Sequence, residues 1–208
     1  MYMEKPADLF IEHAEIQFRS NFSGMNGYHK PNPGDPLKRD LKIKIHTLEE
    51  AEQLSAIGWP IEINFRGPKM DSREEQKAYT DKVKELLKKN CTNYDERKAF
   101  LIERGEFNTE CCDFYIKANV SYKYENSAPL INMVMPLQKK VKEMTELNVG
   151  TLDNCRIMDL TVTLRLSWSM NLQRYMCYLK SANVVIEEDP TRVALSDTYS
   201  DFTVIGAN

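Results

Sequence analysis

The sequence predicts a mainly β protein, and three observations lead to this expectation. Several short segments alternate between apolar and polar residues, which is the pattern of half-buried strands. Residues 47–58 carry helix start and stop signals and lie between two of these predicted strands. Residues 21–39 form a wide loop rich in Gly, Asn and Pro that follows the first predicted strand. We therefore expect an OB-like five- to six-stranded barrel with a helix between strands and a helical insertion.

The first three predicted strands are separated by the wide loop and by the short helix. Their apolar positions share one face of each strand and predict the core: Ala14, Ile16 and Phe18, then Leu41, Ile43 and Ile45, then Ile61, Ile63 and Phe65. In the helix, Thr47 and Glu50 form a capping box that satisfies free backbone N–H groups of the first turn. Gly58 marks the end of this helix.

Residues 71–106 differ in pattern from the strands around them. Apolar residues recur at helical spacing from Ser72 to Asn90, and Ser72 with Glu75 forms a second capping box. Another helix is expected over residues 94–104. The segment is electrically neutral, and we interpret it as a helical insertion whose simplest role is decoration of the barrel.

Strand patterns resume after the insertion. Alternation predicts strands over residues 114–124, 160–168 and 175–187, and an apolar run predicts a short strand over residues 130–135. The Lys-rich residues 139–142 are expected to flank a turn, and one helical turn is expected within residues 145–152.

The charge distribution separates a body from a tail. Residues 187–208 contain five acidic residues and one Arg, which predicts a polar acidic C-terminal tail. The whole chain has a formal net charge of −3, so the remaining residues carry a slight basic excess. We expect residues 1–186 to form a single OB-like domain with the helical insertion at residues 71–106.

Composition and motifs exclude several classes of protein. A chain with 42% hydrophobic and 28% charged residues is typical of a folded globular protein. No apolar run approaches the roughly 18 residues of a membrane span, and no secretory signal is visible, so we expect a cytoplasmic protein with no membrane partner. The five cysteines are an odd number, which favours free thiols in a reducing compartment.

Catalytic and cofactor motifs are missing from the sequence. It contains no phosphate-binding glycine loop and no nucleophile elbow, and its three His residues lie at no common metal-ligand spacing. A carboxylate pair, Asp153 and Asp159, is the basis of a remote alternative, a nuclease or polymerase accessory with a metal site, but Asp favours turns and strand entries in any fold. We therefore expect no enzymatic activity, no cofactor and no metal.

Basic and aromatic residues recur together at outward strand positions and in the wide loop. Nucleobases stack on aromatic rings and phosphates attract cations, so such a surface binds single strands without reading their sequence. The candidate stacking residues are Phe22, Tyr28 and Tyr115, with Trp59 as a fourth that also suits the core. The candidate phosphate-binding residues are Lys30, Lys42, Lys44, Arg66, Lys117, Arg165 and Arg174. Because Tyr and Lys are ordinary outward residues of strands, a purely structural role stays open.

Several stretches of the chain resemble one family. The run Asn21-Phe22-Ser23-Gly24 is followed by Tyr28, by a basic strand entry at residues 38–43, and by a helix that leads to Trp59. Residues 152–168 and 178–189 extend the likeness into the C-terminal half. These diffuse motifs resemble the single-stranded DNA-binding proteins of tailed bacteriophages, which have an OB fold.

The resemblance implies a non-catalytic protein that protects or organises single-stranded DNA in phage replication or recombination, inside the bacterial host. It also implies partners: single-stranded DNA, replication or recombination proteins, and a second copy of the chain. The alternative is a protein-interaction module on the same barrel, as a phage structural component or an inhibitor of a host protein. The helical insertion and the acidic tail favour this alternative, because neither is needed to hold DNA.

Overall fold

The computed structural model describes residues 5–26 and 36–190. These ranges contain eight strands and three α-helices: β1 (Leu9–Ile11), β2 (Arg39–Ile45), α1 (Leu48–Ala56), β3 (Ile61–Phe65), α2 (Arg73–Asn90), α3 (Tyr94–Glu103), β4 (Cys112–Val120), β5 (Leu130–Met135), β6 (Lys140–Met144), β7 (Ile157–Ser169) and β8 (Arg174–Ile186). Two 3-10 helices occupy Glu125–Ser127 and Val149–Asn154. None of the helices in the described ranges combines the length and the hydropathy required to cross a membrane.

All eight strands belong to one sheet. Its longest path is β1-β7-β8-β4-β2, with β3 paired to β4, and with β5 paired to β8 and carrying β6. Most neighbours are antiparallel, but β5 runs parallel to β8. Strand β4 meets β8 at a single parallel pair, Asn119 and Tyr178. The fold is therefore strand-rich with a helix, α1, between two strands, as the sequence predicts.

The sheet is not closed into a barrel, whereas the sequence predicts an OB-like barrel of five or six strands. The paired path ends at β1 and β2. Residues 14–19, predicted as the first strand, and Asn21 at the start of the wide loop make only single contacts with β7 and β2 instead of a ladder. The contacts are a 2.7 Å hydrogen bond from Ala14 N to Leu160 O and isolated bridges from Ile16 to Ile43 and from Asn21 to Asp40. His13, with φ of 52°, interrupts the extended backbone just before this segment.

The helices begin where the capping residues predict. Thr47 Oγ1 accepts a hydrogen bond from Glu50 N, and Ser72 Oγ accepts one from Glu75 N. Gly58, with φ of 98°, follows α1 and permits the left-handed turn that ends it. The two helices expected within residues 71–106 are present as α2 and α3, and both pack on the core through the buried residues Val83, Leu87 and Leu101.

The turn that the Lys-rich residues 139–142 are expected to flank is present at residues 136–139, and strand β6, which the sequence did not predict, follows it directly. Four of its five residues are exposed, and only Met144 is buried. An edge strand with this exposure shows no alternation of apolar and polar residues, so its pattern does not reveal it. Lys139 ends this turn, and Lys140 and Lys142 lie along the exposed edge strand that follows it, where Lys is a common protection against pairing with other chains.

A carboxylate anchors the start of the wide loop. Asp153 Oδ1 and Oδ2 accept hydrogen bonds from Phe22 N and Ser23 N at 2.9 and 2.8 Å. Next to it, the side chain of Asn21 donates to Lys38 O at 2.9 Å and accepts from Asn26 N at 2.8 Å. These contacts hold the two ends of the loop together and fix Phe22 in the core.

We expect Asp153→Ala to destabilise the fold by about 1–3 kcal/mol, because it leaves two shielded N–H groups without an acceptor. Asp153→Asn, which keeps one acceptor oxygen, should cost less. Urea unfolding measures both, with Asp81→Ala on the exposed face of α2 as the control. Equal unfolding free energies for Asp153→Ala and the control would contradict the anchor.

An exposed ion pair joins the end of β1 to β7. His13 Nδ1 lies 3.0 Å from Asp159 Oδ1. This hydrogen bond raises the pKa of His13 above its ordinary 6.5 and lowers the pKa of Asp159 below its ordinary 3.8. The stabilisation that comes from protonated His13 is present below pH 6.5 and is lost as the pH rises through the raised pKa of His13. The Asp contribution is present above pH 3.8 and is lost as pH falls through the lowered value.

NMR titration of the His13 ring should therefore give a pKa above 6.5, and Asp159→Asn should bring it down. Because the ring is exposed, we expect Asp159→Asn to change the free energy of unfolding only slightly between pH 3.8 and pH 6.5. An unchanged His13 titration in Asp159→Asn would rule the pair out.

Candidate nucleic-acid interface

The outward face of β2 and β4 brings together four of the predicted site residues. Lys42 lies directly opposite Lys117, and Lys44 lies opposite Tyr115, in the antiparallel register of the two strands. Their neighbours along each strand, such as Ile43 and Ile116, are fully buried. The two-residue period therefore directs these four side chains to the side away from the core.

Phe18 adds an exposed ring to this face. Its centroid lies 5.8 Å from that of Tyr115 in an edge-to-face arrangement, and Lys42 Nζ lies 5.2 Å from the Phe18 centroid. The Phe18 side chain is 50% exposed. The sequence placed Phe18 on the core face of a first strand, and this was wrong because residues 14–21 do not form a regular strand.

Acidic side chains lie among these cations. Lys44 Nζ is 2.9 Å from Glu15 Oε1, and Lys117 Nζ is 3.3 Å from Asp40 Oδ2. Exposed or partly exposed ion pairs of this kind contribute about 0–1 kcal/mol, so a phosphate can compete for either lysine. Lys42 has no carboxylate within ion-pair distance in the described part of the chain.

Tyr115 is held by a hydrogen bond across the face. Its hydroxyl donates to Glu62 Oε2 of β3 at 2.8 Å. Burial and the negative charge of Glu62 raise the pKa of Tyr115 well above its usual range, so the phenol stays protonated at neutral pH. Tyr115 is partly buried, so only part of its ring is accessible for stacking.

A cleft of about 710 Å³ adjoins the face at Lys117. Its walls are residues 58–60 after α1, strand β3, the start of α3, the outward positions of β4, and the ends of β7 and β8 with the turn between them. The cationic residues that line it are Arg97, Lys117 and Arg174, and the aromatic ones are Trp59, Tyr94, Trp168 and Tyr175. This volume lies within the range of about 300–1,000 Å³ typical of ligand sites.

Two tryptophans border this cleft with very different exposure. Trp168 is 46% exposed, and its ring packs edge-to-face on Tyr175 with centroids 5.1 Å apart. Trp59 is only 3% exposed and belongs to the hydrophobic core. Trp59 is therefore a core residue and is not available for stacking, whereas the ring of Trp168 is accessible.

The remaining predicted site residues lie elsewhere. Phe22 is fully buried, which corrects the expectation that its ring stacks on bases. Arg66 pairs with Asp113 at 2.9 Å and donates to Thr109 O; it is absent from the cleft but lines a smaller cavity of about 240 Å³ together with Lys44. Arg165 donates to Ser127 O at 2.6 Å, which holds the 3-10 helix Glu125–Ser127. Tyr28 and Lys30 lie outside the described residues.

The two aspartates considered as a metal pair serve separate purposes. Asp153 holds the loop at Phe22, and Asp159 pairs with His13. Within residues 5–26 and 36–190, no group of three or more His, Cys, Asp or Glu side chains has the arrangement of a metal site.

Sequence reasoning did not identify Arg97, Trp168 and Tyr175 as parts of one site. Arg97 and Arg174 line the same cleft, and neither has an ion-pair partner in the described part of the chain. The proximity of these groups depends on the packing of α3 beside the turn between β7 and β8. No local sequence pattern encodes that packing.

Comparison with known proteins gives distant structural likenesses. No protein-family model matches the chain, and no curated protein matches it. It is similar to the single-stranded DNA-binding protein from bacteriophage Enc34 in complex with ssDNA, with 12% identity, 88% of each chain covered and a TM-score of 0.35. A C-terminal truncation of that protein matches with 12% identity, 88% of this chain and 87% of that chain covered, and a TM-score of 0.34. The single-stranded DNA-binding protein gp2.5 of bacteriophage T7 matches with 14% identity, 97% and 98% coverage, and a TM-score of 0.25.

The contrast between the two tryptophans can be measured by fluorescence. We expect Trp168→Phe to leave a blue-shifted emission that acrylamide quenches poorly, because only the buried Trp59 remains. Trp59→Phe should leave a red-shifted and readily quenched emission from Trp168. Similar spectra and quenching for the two variants would show that the ring of Trp168 is not exposed at the cleft.

Proposed function

We propose that the protein binds single-stranded DNA, without catalysing a reaction, on the outward face of β2 and β4 and in the adjoining cleft. The observation that carries this proposal is the meeting of cations from three strands on one surface. Lys42 and Lys117 lie opposite each other, and Lys117 also lines the cleft that contains Arg174. The half-exposed rings of Phe18 and Trp168 lie on the same surface.

The physical chemistry of this surface suits an unpaired strand. Base stacking on an accessible ring contributes about 1–3 kcal/mol per base and does not depend on base identity. Each phosphate contact releases condensed counterions, which makes binding tight at low salt and weaker at high salt. A surface with both features binds single strands with little sequence preference.

We extend the proposal to the organisation of the chain. Residues 1–186 form one OB-like domain into which residues 71–106 are inserted, and residues 187–208 form an acidic tail. The OB fold is a partly open five-stranded barrel, which is compatible with a sheet whose ends meet only by single contacts. On this proposal the protein acts in phage replication or recombination in the host cytoplasm.

A protein-interaction role is the second candidate. It is favoured by apolar side chains exposed on the hairpin of β5 and β6, where Leu137 is 55% and Val141 65% exposed. This hairpin pairs with the end of β8 that is remote from Arg174. Retention of one host protein after nuclease treatment, together with absence of oligonucleotide binding, would favour this candidate.

Titration with an oligo-dT tests the proposed function. We expect quenching of Trp168 fluorescence and an affinity that falls steeply with salt. Arg174→Ala and Lys42→Ala should each weaken binding, and each should reduce the slope of log affinity against log salt by about 0.7, the value for one phosphate contact on a single strand.

Lys142→Ala is the matched control for Lys42→Ala, because Lys142 is exposed on β6 at the far end of the sheet. It should leave both the affinity and the salt slope unchanged. Failure of the unmodified protein to bind any single strand at low salt would end the proposal.

A further inference from the structure

We infer that α3 forms a wall of the strand-binding site and that Arg97 binds a phosphate of the strand in the cleft. This inference rests on the proposed function. It gives the helical segment a role in DNA binding, whereas the sequence suggested decoration of a barrel. The ligand is one phosphodiester of a single strand whose neighbouring base lies toward Trp168.

Helix α3 holds Arg97 on a fixed support. Leu101, one turn further along the same face, is fully buried, and Tyr94 packs edge-to-face on Phe107 with centroids 6.5 Å apart. Lys98 forms an ion pair with Glu52 of α1. Because both ends of this face are tied to the core, the guanidinium is held at the cleft and does not depend on a flexible loop.

Arg97 carries a positive charge that the rest of the described chain does not compensate. Its Nε is shielded from solvent and has no hydrogen-bond partner, and no carboxylate lies within ion-pair distance in the described residues. A shielded donor without an acceptor costs free energy, which a ligand acceptor recovers. The cavity beside it already has two further cations, Lys117 and Arg174.

The charges that face this cavity favour an anion. Two carboxylates, Glu62 and Asp95, line it together with the three cations. Glu62 is occupied by the hydroxyl of Tyr115, and Asp95 lies exposed in the first turn of α3. A planar guanidinium fork matches the geometry of phosphate oxygens, so Arg97 suits this ligand better than a lysine would.

The aromatic wall selects a strand over a free phosphate. Trp168 and Tyr175 line the same cleft as Arg97 of α3, and their rings pack edge-to-face on each other. A phosphate bound at Arg97 within a strand can therefore place its neighbouring base against an accessible ring. Inorganic phosphate gains only the charge interaction, and we expect it to compete with oligo-dT only weakly.

The test compares Arg97→Gln and Arg97→Lys, which are similar in length and differ in charge. We expect Arg97→Gln to weaken oligo-dT binding about tenfold, corresponding to the loss of one charge-assisted contact. It should also lower the salt slope by about 0.7. Arg97→Lys should retain the slope and lose only part of the affinity. Thermal unfolding of both variants should match the unmodified protein, because neither change removes a side-chain hydrogen bond or ion pair between described residues.

Lys88→Gln is the control in the neighbouring helix, since it removes the same charge from an exposed position in the last turn of α2, outside the cleft. If the unmodified protein binds oligo-dT and Arg97→Gln binds with the same affinity and slope as Lys88→Gln, the inference is wrong and the proposed function stands. If the unmodified protein binds no strand, the proposed function fails first. Displacement of oligo-dT by inorganic phosphate or thymidine monophosphate at equal concentration would overturn the choice of a strand as ligand.

Discussion

The double pairing of β4 is the constraint on which the rest of the molecule depends. One edge of β4 pairs with β2 and the other with β3, so Ile116 lies between Ile43 and Ile61 in a single inward row. All three side chains are buried, and this row ties the strands on either side of α1 together. The same period of two that buries Ile116 directs Tyr115 and Lys117 outward. The core and the candidate binding face are therefore set by one strand, and a shift of register by one residue would exchange them.

Much of this arrangement could be predicted from the sequence, because it depends on local rules. Alternation identified β2, β3, β4 and β7, and it assigned Lys42 and Lys117 to an outward face before their pairing was known. Capping residues located the helices, since Thr47 and Ser72 can satisfy the first N–H groups only at one position. These features need no knowledge of what packs against them.

Other features required the tertiary structure. Phe18 and Phe22 are both aromatic residues near the wide loop, yet Phe18 is half-exposed and Phe22 is fully buried. The difference arises because Asp153, far along the chain, binds the backbone at Phe22 and holds that ring inside. The cleft likewise depends on the approach of α3 to the turn between β7 and β8. Long-range contacts of this kind leave no periodic pattern in the sequence.

On the proposed function, the carboxylates paired with the lysines of the candidate binding face affect how long a strand stays bound. A phosphate at Lys117 would replace Asp40, an anion that the protein already supplies, so the exchange would yield less free energy than filling an empty cationic site. When the phosphate left, Asp40 would pair with Lys117 again. A strand held at such paired lysines would therefore be released more readily than one held at unpaired cations.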